Sequence, residues 1–106
     1  MTTFDKRKDE AEARFKHDEE LRFKATARRN KLFGLWVAEQ MGRVGASADA
    51  YAKEMVTADF DRPGDSDVIE KAKTDLERAG VEMTEHHLRK ELDRLMEVAR
   101  EQVTSE

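Results

Sequence analysis

The chain has 106 residues, a length that fits one domain, with a formal net charge of −4, no cysteine, and 42% of its residues Asp, Glu, Lys or Arg. Without cysteine it can form no disulfide or thiolate metal site, and no apolar run reaches the roughly 18 residues that a membrane span needs. Both signs of charge are interspersed, which disfavours nucleic-acid binding because that needs a basic face, and the charged stretch Asp5–Glu10 disfavours a secretory signal.

The first 19 residues are rich in charge and poor in apolar side chains. Phe4, Ala11 and Phe15 fall on one narrow helical seam, and several acids precede bases at the four-residue spacing that favours helix. The seam is too narrow to dock against a core. Two interpretations remain: a solvated, frayed helix, or a segment that becomes fully helical when Phe4 and Phe15 enter a groove of a partner.

The most apolar stretch is Leu32–Val37, which lies in a helix predicted over residues 20–42. It is apolar around most of the helix, so neighbours should touch it on several sides, with Trp36 as the largest part of the core. Gly34 costs roughly 1 kcal/mol of helix propensity relative to Ala. A neighbouring helix that crosses closely at this point would explain the glycine, because a Cβ would block the approach.

Three further amphipathic helices are predicted, over residues 47–61, 67–79 and 85–103. No segment alternates polar and apolar residues with period two, so we predict no strand. The fold class is therefore all-α. We expect a small four-helix bundle from residue 20 to 106 and, as a separate unit, an N-terminal segment of residues 1–19 that is disordered or partly helical when free.

Cap residues mark the ends of these helices. Ser47 and Thr84 are the predicted N-caps of the second and fourth helices, and Ser66 or Asp67 that of the third. Gly80 follows the third helix and fits the left-handed backbone conformation at which helices often stop.

No motif in the sequence predicts catalysis. The serines lie at caps or in the tail, no glycine-rich phosphate loop is present, and the carboxylates pair with bases at helical spacing. His17, His86 and His87 do not predict a metal site, because adjacent helical residues diverge by about 100°. We expect a protein that is not an enzyme and that has no metal and no cofactor.

The densest basic cluster next to apolar residues is Arg28, Arg29 and Lys31. In one interpretation their aliphatic stems cover the edge of the core while the charges reach water. In the others they contact a phosphate or nucleotide, or meet an acidic partner. The sequence leaves these alternatives open.

Three strings of residues resemble a known family. They are Phe4-Asp5-x-Arg7, Glu12-Ala13-x-Phe15-x-His17-Asp18 and Ala27-Arg28-Arg29-Asn30-Lys31-Leu32-x-Gly34-Leu35-Trp36. They are similar to the zeta subunits of alphaproteobacterial F-type ATP synthases, and the resemblance covers essentially the full length.

This resemblance implies a small four-helix protein that binds the catalytic head of the ATP synthase and blocks ATP hydrolysis, a counterpart of the mitochondrial ATPase inhibitor. The inhibitory part would be the N-terminal segment, wedged as a helix between the alpha and beta subunits and against the gamma subunit. It also implies a cytoplasmic protein, a monomer when free, held at the inner membrane through the synthase without inserting into it. The matching partner-binding positions are Phe4, Asp5, Arg7, Glu12, Phe15, His17 and Asp18.

Two other hypotheses compete with inhibition of the synthase. One is a bundle that binds or senses ATP or ADP through Arg28, Arg29 and Lys31. The other is a general interaction module whose N-terminal segment binds some other groove.

Overall fold

The computed structural model describes the backbone of residues 3–61 and 64–106 and the side chains of residues 17–59 and 64–106. Within that part of the chain the secondary structure is α-helical, without a strand. The helices are α1 (Thr3–Gln40), α2 (Ala46–Asp61), α3 (Asp65–Arg78) and α4 (Glu85–Ser105). The predicted all-α four-helix fold is confirmed.

Helix α1 is continuous over 38 residues, roughly 57 Å at 1.5 Å per residue. It begins at Thr3, whereas the sequence predicted a start near residue 20. The longer helix is consistent with the acid–base pairs at four-residue spacing and with the absence of Gly and Pro before Gly34. The predicted boundary between residues 1–19 and 20–106 falls inside this helix, and disorder of the segment in the free protein stays a prediction.

The core lies between the second half of α1 and the other three helices, all of which contact α1. The apolar stripes predicted for α2, α3 and α4 supply most of it. Fully or almost fully buried side chains include Phe33, Val37, Tyr51, Met55, Val68, Ile69, Leu76, Leu88 and Leu92. Burial of such side chains stabilises the fold by about 1.5–3 kcal/mol each relative to exposure. Because α2, α3 and α4 all contact α1, α1 is held on several sides.

Gly34 lies where α1 and α2 cross most closely. A Cβ atom at this position would stand 2.7 Å from the Cα of Ala52 and 3.1 Å from the Cβ of Met55. The close approach predicted from the sequence is confirmed, and it explains a glycine inside an apolar helix.

The fourth helix starts as predicted. The side-chain oxygen of Thr84 accepts a hydrogen bond from the backbone N–H of His87 at 3.1 Å. Gly80 has a φ of 79°, and Val81 N donates to Leu76 O at 2.8 Å, so the predicted left-handed stop of α3 is confirmed.

The N-caps predicted for α2 and α3 are wrong by two or three residues. Helix α2 begins at Ala46, so Gly45 precedes it and Ser47 lies within its first turn. Helix α3 begins at Asp65 after Gly64, with no side-chain cap. Acidic residues in the first turn of α3 interact favourably with the helix dipole and take the place of a cap.

Trp36 is not the largest part of the core, so that prediction is wrong. It is only partly buried and packs against the edge of the cluster, stacked on Phe33 with ring centroids 5.9 Å apart. Phe33 and Val37 are fully buried instead, because the face of α1 that meets α2 and α4 is centred on them.

Candidate functional site

The N-terminal part of α1 is mainly exposed where its side chains are described. We call residues 3–24 of this helix the arm. From residue 17 to 24 every side chain is exposed except Leu21, which is partly buried, and among the described side chains Ala25 is the first that is buried. The same helix continues into the core residues Phe33 and Val37.

The predicted partner-binding residues belong to this arm. His17 and Asp18 are both exposed. The other five, Phe4, Asp5, Arg7, Glu12 and Phe15, lie outside the residues whose side chains the structure describes. Their role in binding stays a prediction.

The basic cluster predicted from the sequence does not form one surface. Arg29 is buried, with 4% of its surface exposed, and its Nη1 lies 3.0 Å from Asp65 Oδ1 in the first turn of α3. Arg28 turns to α4 and donates to Gln102 Oε1 at 2.9 Å and to the carboxylate of Glu106. Lys31 is exposed and lines the same surface depression as Arg28, so Arg29 is the cation that is separated from the other two.

Arg29 belongs to a polar network that we call the clamp, made of Arg29, Asn30, Asp59 and Asp65, in which Arg29 and Asn30 are buried and Asp65 is half exposed. Arg29 Nε and Nη2 donate to Asn30 Oδ1 at 3.1 and 2.9 Å, and Asn30 Nδ2 donates to Asp59 Oδ2 at 2.8 Å. Asn30 is 1% exposed, so these partners replace the water that its amide would otherwise bind. The clamp joins α1 to the end of α2 and the start of α3.

The clamp was not predicted, although the sequence contains a signal for it. Ala25, Arg29, Phe33 and Val37 recur every four residues and so share the buried face of α1. A cation in such a row predicts a buried ion pair, because an unpaired charge there would be too costly.

Next to the clamp an open groove of about 560 Å³ runs between α1 and the last turns of α2. Phe23, Ala27 and Val56 line it with apolar surface, and Asn30 and Asp59 line the part that adjoins the clamp. Phe23 is 62% exposed. No motif in the sequence pointed to this groove, because it depends on how α1 and α2 cross.

A second polar network joins α2 to α3 on the other side of the core. The hydroxyl of Tyr51 donates to Asp75 Oδ2 at 2.8 Å, and Lys71 Nζ donates to the same oxygen at 3.0 Å. Burial raises the pKa of Tyr51 above its usual range, and the hydrogen bond to Asp75 raises it further. The tyrosine is therefore a neutral donor in the fold.

The cations Arg43 and Lys71 lie over the ring of Tyr51, at 5.3 and 5.1 Å from its centroid. Cations in this position are attracted by the negative face of the aromatic ring. This network uses its polar groups within the fold and offers no open site.

The three histidines lie at two places in the fold. His86 and His87 are exposed at the start of α4, and the ring of His87 lies 5.9 Å from that of Trp36 at an angle of 46°. His17 lies on the arm. Within the described residues, no group of His, Asp and Glu has the arrangement of a metal site.

None of the helices, over the residues described, is both long and apolar enough to span a bilayer.

Comparison with known proteins assigns the chain to a family. The family model described as ATPase inhibitor subunit zeta matches residues 1–102. A protein solved by solution NMR is 46% identical and has a TM-score of 0.71, over 80% of this chain and 96% of that one. A comparison with curated protein sequences finds no match. Because the family model covers nearly all of the sequence and the four-helix fold agrees with a solved structure of high identity, the chain belongs to the family of ATPase inhibitor subunit zeta.

Proposed function

We propose that the protein is a non-catalytic regulator that binds the catalytic head of the F-type ATP synthase and inhibits its ATP hydrolysis. The family supports an inhibitory role at the synthase. The observation that carries the proposal is the arm, whose described side chains, from residue 17 to 24, are exposed apart from the partly buried Leu21. A helix held at one end by a folded core is suited to insertion into another protein.

The inhibitory segment is residues 1–19, inserted as a helix where alpha and beta subunits meet and against the gamma subunit. Helical residues 3–19 would form a rod of roughly 25 Å, long enough to reach into such an interface. A rod in this place obstructs the closure and rotation that hydrolysis requires. The protein would act in the cytoplasm, on the part of the synthase that faces it, as a monomer before binding.

Within the segment, the two aromatic residues are the proposed anchors. Phe4 and Phe15 would fill apolar pockets of the partner, because aromatic side chains dominate the energy of many interfaces. Asp5, Arg7 and Glu12 would pair with charges around these pockets, and His17 and Asp18 would contact the rim where the rod enters.

Deletion of residues 1–19 tests the proposal. Hydrolysis by the purified catalytic head is measured with increasing amounts of the full chain and of the shortened chain, and both are melted to check folding. We expect the full chain to inhibit and the shortened chain to stay folded without inhibiting. Equal inhibition by both chains would show that the inhibitory surface lies on the bundle, and it would contradict the proposed role of the segment.

The nucleotide-binding hypothesis has less support from the geometry, since Arg29 is buried against Asp65 and Arg28 is bound to α4. A nucleotide contact at Arg28, Arg29 and Lys31 stays a prediction. Titration of the free protein with ATP, followed by NMR shifts of the backbone amides at these positions, tests it. Shifts at micromolar ligand would support nucleotide sensing beside inhibition.

A further inference from the structure

The groove beside the arm has the size and chemistry of a binding site for a side chain of a partner. Its volume of about 560 Å³ falls in the range of ligand pockets. Phe23, Ala27 and Val56 give it apolar walls, and Phe23 keeps 62% of its surface exposed. Large exposed apolar side chains next to a concave surface are a typical sign of an interaction site.

The polar part of the groove is a carboxylate held in place by the clamp. Asp59 Oδ2 accepts from Asn30 Nδ2 at 2.8 Å, and Asp59 Oδ1 lies 3.4 Å from the backbone N–H of Gly64. A carboxylate accepts about four hydrogen bonds, so Asp59 has room for another donor. Among the described side chains it has no ion-pair partner.

The other charged side chains that line the groove, among the residues described, are Glu19 and Arg22, which are opposite in sign. Arg22 and Glu19 are both exposed and are free to move toward water. Asp59 is partly buried and fixed by Asn30, so its negative charge is the stable electrostatic feature of the groove.

We propose that this groove receives a lysine or arginine side chain from the catalytic head of the synthase, an inference that rests on the proposed function. The aliphatic stem of such a residue would lie along Phe23, Ala27 and Val56, and its charged end would donate to Asp59. An acidic or purely aliphatic side chain would leave the Asp59 carboxylate unpaired or repelled.

The position of the groove agrees with this role. Its first lining residue, Glu19, is the last residue of the proposed inhibitory segment. When residues 1–19 lie inside the head, the groove would face the surface at which the rod enters. The groove would then add a second contact, with the rod supplying the obstruction and the groove helping to retain it.

Two substitutions in the full chain test the groove from different directions. Asp59→Asn removes the charge while its side-chain oxygen can still accept from Asn30, and Ala27→Leu fills the apolar part. The matched controls are Asp93→Asn and Ala50→Leu, both at exposed helical positions that do not line the groove. All variants are first melted, and their inhibition of hydrolysis by the isolated head is then titrated at low and high salt.

We expect both groove variants to keep the melting temperature within a few degrees and to raise the half-inhibitory concentration about threefold to tenfold, as for loss of a partly exposed charged contact. Both controls should match wild type. The effect of Asp59→Asn should shrink as salt rises, because salt screens the charge in the wild-type contact.

The other outcomes overturn the proposal in distinguishable ways. If wild type inhibits and both groove variants match it, the groove is not part of the interface, whereas the proposed function stands. If only Asp59→Asn weakens inhibition, no side chain is seated in the groove; if only Ala27→Leu does, the occupant is not a cation. If wild type does not inhibit, the proposed function fails and the groove assignment fails with it.

Discussion

A Cβ atom on Gly34 would stand 2.7 Å from the Cα of Ala52. The obstacle is backbone, which cannot move aside like the end of a flexible side chain. The substitution Gly34→Ala gains roughly 1 kcal/mol of helix propensity but must push α1 and α2 apart, and overpacking of this kind costs about 1–3 kcal/mol.

We therefore expect Gly34→Ala to lower the free energy of unfolding by about 1 kcal/mol, as measured by urea denaturation, with Ala50→Ser at an exposed site of α2 as the control. Gly34→Ser should destabilise at least as much. A higher melting temperature for Gly34→Ala would mean that the helices do not cross this closely.

Arg29 gives a second prediction, since it is buried and serves both Asn30 and Asp65. Arg29→Ala leaves the side-chain oxygen of Asn30 without its donor and opens a cavity. We therefore expect the free energy of unfolding to fall by about 2–4 kcal/mol. Lys31→Ala, at an exposed position two residues on, should change stability by less than about 0.5 kcal/mol. Equal losses in the free energy of unfolding for Arg29→Ala and Lys31→Ala, measured by urea denaturation, would contradict the burial of Arg29 in the clamp.

Tyr51 gives a prediction that depends on pH. Tyr51→Phe removes the hydrogen bond to Asp75, and near pH 7 we expect a loss of about 0.5–1.5 kcal/mol. The pKa of Tyr51 is raised in the fold by burial. Above about pH 10, the ordinary tyrosine pKa, the unfolded chain therefore loses this proton while the folded chain keeps it.

Folding then requires uptake of a proton, and wild type loses stability as pH rises. The variant has no such group at residue 51, so the difference between the two proteins should narrow above about pH 10. Urea denaturation of wild type and Tyr51→Phe at pH 7 and pH 10.5 measures this difference in the free energy of unfolding. A difference that widens at high pH would contradict a buried neutral hydroxyl.

Phe33 and Trp36 should differ in their contribution to stability, in the opposite order to their size. Phe33 is fully buried and Trp36 only partly. We expect Phe33→Ala to cost about 3–5 kcal/mol, and Trp36→Ala, which removes a side chain from the edge of the core, to cost about 1–3 kcal/mol. Thermal melts rank the two variants by melting temperature. A lower melting temperature for Trp36→Ala than for Phe33→Ala would indicate that Trp36, and not Phe33, is the central side chain of the core.

Phe15 tests the division between arm and bundle. As a proposed anchor, it should matter for inhibition and little for folding. We expect Phe15→Ala to weaken inhibition of hydrolysis by about thirtyfold or more, the usual size of an aromatic hot spot, with the melting temperature almost unchanged. If Phe15→Ala instead melts the fold, residues 1–19 do not form a separate functional unit.

The helical periodicity of the sequence predicted most of the fold. The stripes of α3 and α4 and the cap at Thr84 could be predicted because each depends on residues close in sequence. The start of α1 was predicted too late, since a charged helix without a docking face has no apolar pattern to mark it. Trp36 was misplaced because an all-round apolar stretch does not reveal which of its faces meets the neighbours.

Less of the candidate site than of the fold could be predicted from the sequence. The basic residues Arg28 and Arg29 are adjacent, and their separation onto α4 and α3 follows from helical phase together with the packing of both partners. The groove needs the crossing of α1 and α2, which no local pattern specifies. Among the partner-binding positions in residues 1–19, Phe4 and Phe15 were also marked by their shared helical seam, and the other five came from family resemblance alone.

The contact between Arg28 and the end of α4 has a practical consequence for labelling. It fixes Gln102 and Glu106 beside α1, only about one turn from the end of the mainly exposed arm. A fluorophore or affinity handle attached near Ser105 would therefore sit next to the docking surface and risk hindering it. Val44, 79% exposed between α1 and α2, follows the end of α1 at Gln40, which lies roughly 18 Å along the helix from Arg28. It is the better attachment point for surface immobilisation or distance measurements.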